Sequence, residues 1–305
     1  MIFYILRRVG ISVLSLVGIY TSVFLVVNTM SVDPARALLG PNAREEEVAS
    51  LRKQYGLDLP ILQRYLQSLY RLKNGNLGES FFYHMPVVEL IVNSSVMTLL
   101  IIFVTLTSSF FLSILLAVFL VLRSQTFFSR FLMEVLIWIQ AVPPYIWCLL
   151  VLWFAGSYFR VTPLSNSGLY TVLLVFFSSI FPTFNSTLIL HEKLRELNRQ
   201  ISFIYFARAM GFPEVRIWLM ASKEIIPSII AFVINSFGYI LTSALFGEYI
   251  FNLPGLGKIL IQSASRGDLQ VIIGGTMLLA LLFIILQLFS DILLMILDPR
   301  LRNLG

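Results

Sequence analysis

Residues 90–122 read LIVNSSVMTLLIIFVTLTSSFFLSILLAVFLVL, with no charged side chain from Leu90 to Leu122. A helix rises about 1.5 Å per residue, so about 20 apolar residues cross a hydrocarbon core of about 30 Å. This run is long enough to cross by itself, with the helix expected from about Asn93. Working outward, runs of the same kind lie at Val9–Met30, Val135–Phe159, Leu169–Leu190, Ile225–Phe246 and Val271–Leu297, the last interrupted only by Asp291. Helices satisfy their own backbone polar groups in lipid, which separate extended segments cannot do. The sequence therefore predicts an all-α polytopic membrane protein with six transmembrane helices. Arg7 and Arg8 precede the first run as they would in a secretory signal, but the run is too long for a signal core and no small-x-small site follows it. It reads as a retained helix.

Composition agrees. The chain of 305 residues is 58% hydrophobic and 12% charged, against about a quarter charged in soluble domains. The net charge of +6 comes from basic residues scattered among loops, which fits membrane orientation rather than nucleic-acid binding. Twelve Lys and Arg fall on the side of the N-terminus (Arg7, Arg8, Arg123, Arg130, six within 191–224, Arg300, Arg302), against Arg160, Lys258 and Arg266 in the short loops opposite. The long segment 31–89 holds seven basic and seven acidic residues and counts weakly in this rule. Both termini are therefore expected in the cytoplasm.

This topology divides the chain into 1–30, the cytoplasmic N-terminus and first span; 31–91, an external helical region; 92–297, the transmembrane core with a cytoplasmic segment 191–224; and 298–305, a cytoplasmic tail. In the external region Val48, Leu51 and Tyr55 recur at helical spacing. So do Leu62, Tyr65, Leu66 and Leu69, after a Pro60 that suits a helix start. Two or three short helices are expected there.

The chemistry-bearing motifs are mostly missing. In PGLGKI (254–259) Ile259 stands where a P-loop needs Ser or Thr, and Asn252 where it needs the first Gly. No nucleophile elbow or H-E-x-x-H occurs, so no enzyme activity is expected. The single Cys148 allows no intrachain disulfide, and His84 and His191 lack metal-ligand spacing. Only Asp291 is ionisable within a span. Seven residues before Asp298, it falls near the cytoplasmic interface, where a contact with a neighbouring helix and a role in transport are the two readings. The scarcity of buried charge argues against an ion-coupled carrier. Gln140, Asn185, Asn235 and Gln287 are polar positions inside spans and serve either as interhelical glue or as the lining of a path.

The segment 191–224 is different. Its YFARAMGFP (205–213) joins a small-residue helix end to an apolar shoulder. Ala207 and Ala209 allow close approach around Arg208, Gly211 suits a helix C-terminus, and Pro213 can open a second helix. Tyr205, Phe206 and Phe212 form, with Phe203, an apolar patch of the kind that meets a partner. On the opposite face Glu248 precedes NLPGLGK, where Pro254, Gly255 and Gly257 allow a tight reversal toward the sixth span. A plain turn and an outer gate or binding-protein contact are both open for this loop.

These stretches resemble the membrane subunits of ABC importers, specifically the dipeptide/oligopeptide/nickel permease group. Ala207-Arg208-Ala209-Met210-Gly211 is similar to that family's EAA loop, typically ARAKG, although Ser202 stands where the family carries an acidic residue. Glu248–Gly257 resembles E-x-x-F-x-x-P-G-[LI]-G, and Asp298–Arg302 resembles its DPR-x-R ending. DPARALLG, LRKQYGLDLP and GNLGESFFYHMPV are similar to its region after the first span. The likeness runs colinearly through nearly the whole chain. It implies a type I importer permease in the cytoplasmic (inner) membrane of a bacterium or archaeon. It further implies a second permease chain, usually a different one, two cytoplasmic ATPases that bind the ATP and Mg, and an external or periplasmic substrate-binding protein. Tyr205–Pro213 would be the part gripped by the ATPase. The expected cargo is a di- or oligopeptide, with nickel or another small solute as the alternative within the family and a self-contained secondary carrier outside it.

Overall fold

Long apolar helices dominate the computed structural model, which describes residues 2–29, 34–40, 42–123, 127–163, 166–199 and 208–297. Among these residues the helices are α1 (Ile2–Thr29), α2 (Pro34–Leu39), α3 (Glu45–Gln54), α4 (Ile61–Lys73), α5 (Val87–Leu122), α6 (Phe127–Gln140), α7 (Pro144–Phe159), α8 (Ser167–Arg199), α9 (Glu214–Ile250), α10 (Leu256–Arg266) and α11 (Leu269–Leu297). Stretches of α1, α5, α8, α9 and α11 are each long and apolar enough to cross a membrane. The expected third span, Val135–Phe159, is instead broken. Pro143 and Pro144 interrupt the backbone ladder after Ala141, and α6 and α7 meet at 92°. Counted as one bent span they make a sixth.

One further difference from the sequence expectation concerns a helix end. α5 starts at Val87, ahead of Asn93, and takes Glu89 into its first turn, where an acidic side chain favours the helix dipole. The segment 191–224 agrees with expectation: α8 runs on to Arg199, and α9 opens at Glu214 directly after Pro213. Pro182 and Pro227 lie inside α8 and α9 without ending them.

The chain folds as two compact units, one from the described parts of Met1–Leu6, Leu99–Leu253 and Ile285–Gly305, the other from Arg7–Thr98 and Pro254–Ile284. In the first unit α8 touches α6, α7 and α9. It also meets α5 along a seam of small polar side chains. Thr105, Ser109, Ser113 and Ala117 recur every four residues on α5, and each is fully buried. Ser179, Thr183 and Thr187 repeat the same spacing on α8. The Ser109 hydroxyl donates to the Ser179 carbonyl at 3.4 Å, while the Thr187 hydroxyl donates to the Thr183 carbonyl of its own helix at 2.7 Å and lies 3.5 Å from the Ser113 carbonyl. Lipid supplies no hydrophobic drive between helices, so close packing of small residues and interhelical hydrogen bonds carry the association. α9 follows the same rule, since a Cβ on Gly247 would lie 2.1 Å from Leu174 Cδ1 on α8.

In the second unit Tyr20 and Phe24 of α1 pack with Ile273 of α11 and with Tyr65, Leu69 and Leu72 of α4. The Thr21 and Tyr65 hydroxyls share a hydrogen bond of 2.7 Å, and those of Tyr20 and Ser68 share another. The expected apolar stripe of α4 is therefore split. Tyr65 and Leu69 face inward, while Leu62 and Leu66 are 68% and 56% exposed. A second cluster joins Val87, Leu90 and Ile91 to Leu256 and Val271. Gly274 and Gly275 let α11 approach these residues, since Cβ atoms there would meet Ile91 and Val87 at 2.9 Å and Leu260 at 2.5 Å.

Replacing Gly247 by Val overfills the α8–α9 contact against Leu174, which is itself fully buried. A loss of about 1–3 kcal/mol is expected, read as a lower Tm of the detergent-solubilised protein. Gly156→Val, at an exposed position with open space around its Cβ, is expected to stay within about 0.5 kcal/mol.

Candidate functional site

Of the segment expected to meet an ATPase, Tyr205, Phe206 and Ala207 lie outside the described residues. Arg208 and Ala209 close a helical turn, and the chain reverses at Met210–Gly211. Gly211 has φ +76, and its N–H donates to the Arg208 carbonyl at 2.9 Å. Nothing lies within 4 Å of a Cβ built there, so glycine is required by backbone conformation rather than by space. Pro213 caps α9 with φ −66 and ψ 144, a value its ring already imposes. Arg208, Ala209, Met210, Gly211 and Pro213 are exposed, and Phe212 is half-buried. The helix that leaves this elbow has 37 residues. At 1.5 Å each it is about 55 Å long, well beyond a hydrocarbon core of about 30 Å. The stretch of α9 long and apolar enough to cross a membrane is Pro227–Ile250.

At the far end of α9 Glu248 is fully buried, and its carbonyl accepts the Leu253 N–H at 2.8 Å. The expected glycine reversal is made otherwise. Asn252 adopts the left-handed conformation with φ +54, which asparagine tolerates better than most side chains. Gly255 is extended, at φ −128, and caps α10, and Gly257 lies within that helix. Pro254 is exposed, whereas Gly255 and Gly257 are buried. Thr98 accepts the Leu256 N–H at 2.9 Å and so ties the start of α10 to α5. An eleven-residue helix thus stands where a direct return to the last span was expected.

The α10–α11 corner holds residues that sequence reasoning did not single out. Asp268 is 2% exposed. Its Oδ2 accepts the Ser80 hydroxyl at 2.5 Å and the Phe82 N–H at 3.2 Å, and Ser80 Oγ accepts the Tyr83 N–H at 2.9 Å. The Arg266 guanidinium sits 3.6 Å from the centroid of the Phe82 ring, a cation–π contact. The Tyr83 hydroxyl donates to Gln262 Oε1 at 3.1 Å, and burial pushes its phenol above the usual range, with Arg266 working against that. The signal was present in GNLGESFFYHMPV, quoted above as a motif. Its partner Asp268, an isolated carboxylate in the next loop, had no local mark.

The polar span residues do not converge. Gln140 ends α6, and its side chain lies outside the described residues. Asn185 on α8 and Gln287 on α11 are half-buried, and Asn235 on α9 is exposed. No hydrogen bond joins these three among the described residues. Asp291 is half-buried on α11. Among the described residues no three His, Cys, Asp or Glu side chains come together as a metal site.

The fold defines a multi-pass helical membrane protein with an exposed reversal before α9. Comparison with known proteins makes the class specific. The family described as binding-protein-dependent transport system inner membrane component matches residues 109–303, and the corresponding N-terminal family matches residues 1–102. The chain belongs to this family and is a permease of an ABC importer, not itself an enzyme. It is 26% identical to the probable peptide ABC transporter permease protein y4tP of Sinorhizobium fredii, over 98% of this chain and 99% of that protein. It is 26% identical to the dipeptide transport system permease protein DppB of Lactococcus lactis, over 99% of this chain and 100% of that protein. The metal-staphylopine import system permease protein CntB of Staphylococcus aureus is 24% identical over 98% of each chain.

Asp268→Ala is expected to destabilise the protein by about 1–3 kcal/mol, because it strips the partner from the buried Ser80 hydroxyl and the Phe82 N–H. Hydrogen exchange at 80–83 should rise with it. Ser80→Ala should cost less, since Phe82 keeps its acceptor.

Proposed function

We propose that this chain is one half of the translocation path of an ATP-driven importer of di- or oligopeptides in the cytoplasmic membrane of a bacterium or archaeon. Both termini lie in the cytoplasm with the elbow, and residues 31–91 lie outside. A second, different permease chain completes the path. Two ATPases bind beneath the pair and hold the ATP and Mg, and an external binding protein presents the cargo.

The observation that carries this reading is the elbow. An exposed reversal, fixed by the left-handed Gly211 and capped by Pro213, sits at the tip of the rod α9, whose other end reaches Glu248. A push on the elbow is delivered along one unbroken helix, in which Pro227 leaves out a single ladder bond, to the outer end of the span, so a partner's ATP cycle can work a gate without any charge moving through lipid. Glu248, Pro254, Gly255 and Gly257 are the outer end of that linkage. Gln140, Asn185, Asn235 and Gln287 are candidate path residues.

The peptide assignment is supported by full-length likeness to proteins named as peptide and dipeptide permeases. Likeness to CntB favours a second reading, in which the cargo is a metal bound in a small organic chelator.

Gly211→Val forces a β-branched residue into a left-handed conformation, at about 1–2 kcal/mol. It is expected to abolish co-purification of the ATPases while leaving membrane insertion intact, whereas Gly211→Asn retains it in part. ATPases recovered at wild-type levels with Gly211→Val would refute the coupling role. Binding of labelled dipeptides, against metal chelates, by the partner binding protein separates the two cargoes.

A further inference from the structure

The outer wall of the α7–α8 pair holds a groove of about 670 Å³, within the roughly 300–1,000 Å³ of small-molecule sites. Its lining is wholly apolar, with Trp147, Leu150, Phe154, Ala155, Val161 and Phe177 as its main walls. Trp147 and Phe177 stack at 5.9 Å across it. Such a groove on a membrane helix pair would normally call for no comment, because lipid covers it.

What distinguishes this one is how its end is built. α7 stops at Arg160, which adopts the left-handed conformation with φ +54. That position in a helix cap is usually glycine, because other residues are strained there. The reversal brings the Val161 N–H onto the Ala155 carbonyl at 3.3 Å, and the Tyr170 hydroxyl donates to the Val161 carbonyl at 2.9 Å. Ala155 and Val161 both line the groove, so its end is held by two hydrogen bonds.

Arg160 follows Phe159 and precedes Val161, both lining residues. It is exposed and in no ion pair among the described residues. It is also the only charged residue between Glu134 and Glu192, so the neighbouring sequence offers no carboxylate for it. Trp153 and Tyr158 are 63% and 67% exposed beside it, the placement of aromatic side chains at a membrane–water boundary.

We propose that this groove is a site for an anionic phospholipid, with one acyl chain in the apolar slot and the phosphate on Arg160. A buried chain and a cation at its mouth together match an amphiphile with a negative head. A partner helix would need only the apolar wall and would leave Arg160 unanswered.

The test uses the whole importer in nanodiscs, with a phosphatidylglycerol that carries a photoreactive diazirine in its acyl chain, against the phosphatidylcholine equivalent. In the wild type, phosphatidylglycerol is expected to label peptides spanning 147–177 about fivefold more than phosphatidylcholine, the preference one interfacial arginine confers. Arg160→Ala should erase that preference and Arg160→Lys should keep it. Leu150→Trp, which fills the slot from its half-exposed wall, should lower labelling by both lipids. Equal labelling of the wild type by the two lipids overturns the proposal without recourse to any variant. So does labelling unaffected by both Arg160→Ala and Leu150→Trp. A disulfide formed between Phe154→Cys and a second permease chain would show that protein covers the groove, and would overturn it as well.

Discussion

The close approach of α9 to α8, where Gly247 leaves room for Leu174, sets the constraint from which one unit of this molecule follows. Two helices in lipid gain nothing by hiding apolar surface from each other, because the lipid is as apolar as they are. They associate where backbones can come close and where hydroxyls can reach the neighbour's carbonyls. The four-residue spacing keeps Thr105, Ser109, Ser113 and Ala117 buried on one face of α5, where the Ser109 hydroxyl reaches the Ser179 carbonyl of α8. With α8 seated, α6, α7 and α9 have a surface to pack on, and Gly247 extends the same close approach to α9.

The rod α9 gains its mechanical meaning from that packing. A free helix of 37 residues would bend and roll. Gly247 on Leu174 holds this one against α8. Its tip must reverse sharply, and the reversal uses a residue without a Cβ followed by one with a fixed φ. The division of labour is physical: Gly211 supplies the forbidden angle and Pro213 the permitted one.

At the other end, the corner between α10 and α11 shows how irregular backbone is kept in place. Asp268 takes the hydroxyl and amide of the 80–82 segment, and Arg266 lies on Phe82. A buried carboxylate is costly unless its oxygens find donors, and here Oδ2 takes both of these donors while Oδ1 is buried without one among the described residues. Asn252, not the neighbouring glycines, makes the adjacent turn.

The sequence by itself determined the class. Charge-free runs, the absence of a P-loop, the elbow residues Gly211 and Pro213, and the colinear motifs could all be read locally, because hydropathy and turn chemistry belong to short windows. The span positions followed from them, apart from the break at Pro143–Pro144, where the window average stayed apolar although the helix turned through 92°. The tertiary structure alone decided what depends on rotation about a helix axis and on distant partners. The Ser and Thr seam looks like neutral composition until α5 is turned toward α8. The stripe of α4 looks uniform until Tyr65 and Leu69 meet α1 and leave Leu62 and Leu66 outside. Asp268 is an unmarked loop residue until Ser80, 188 positions earlier, donates to it. Such pairings set two stretches of chain against each other, and no window of sequence contains both.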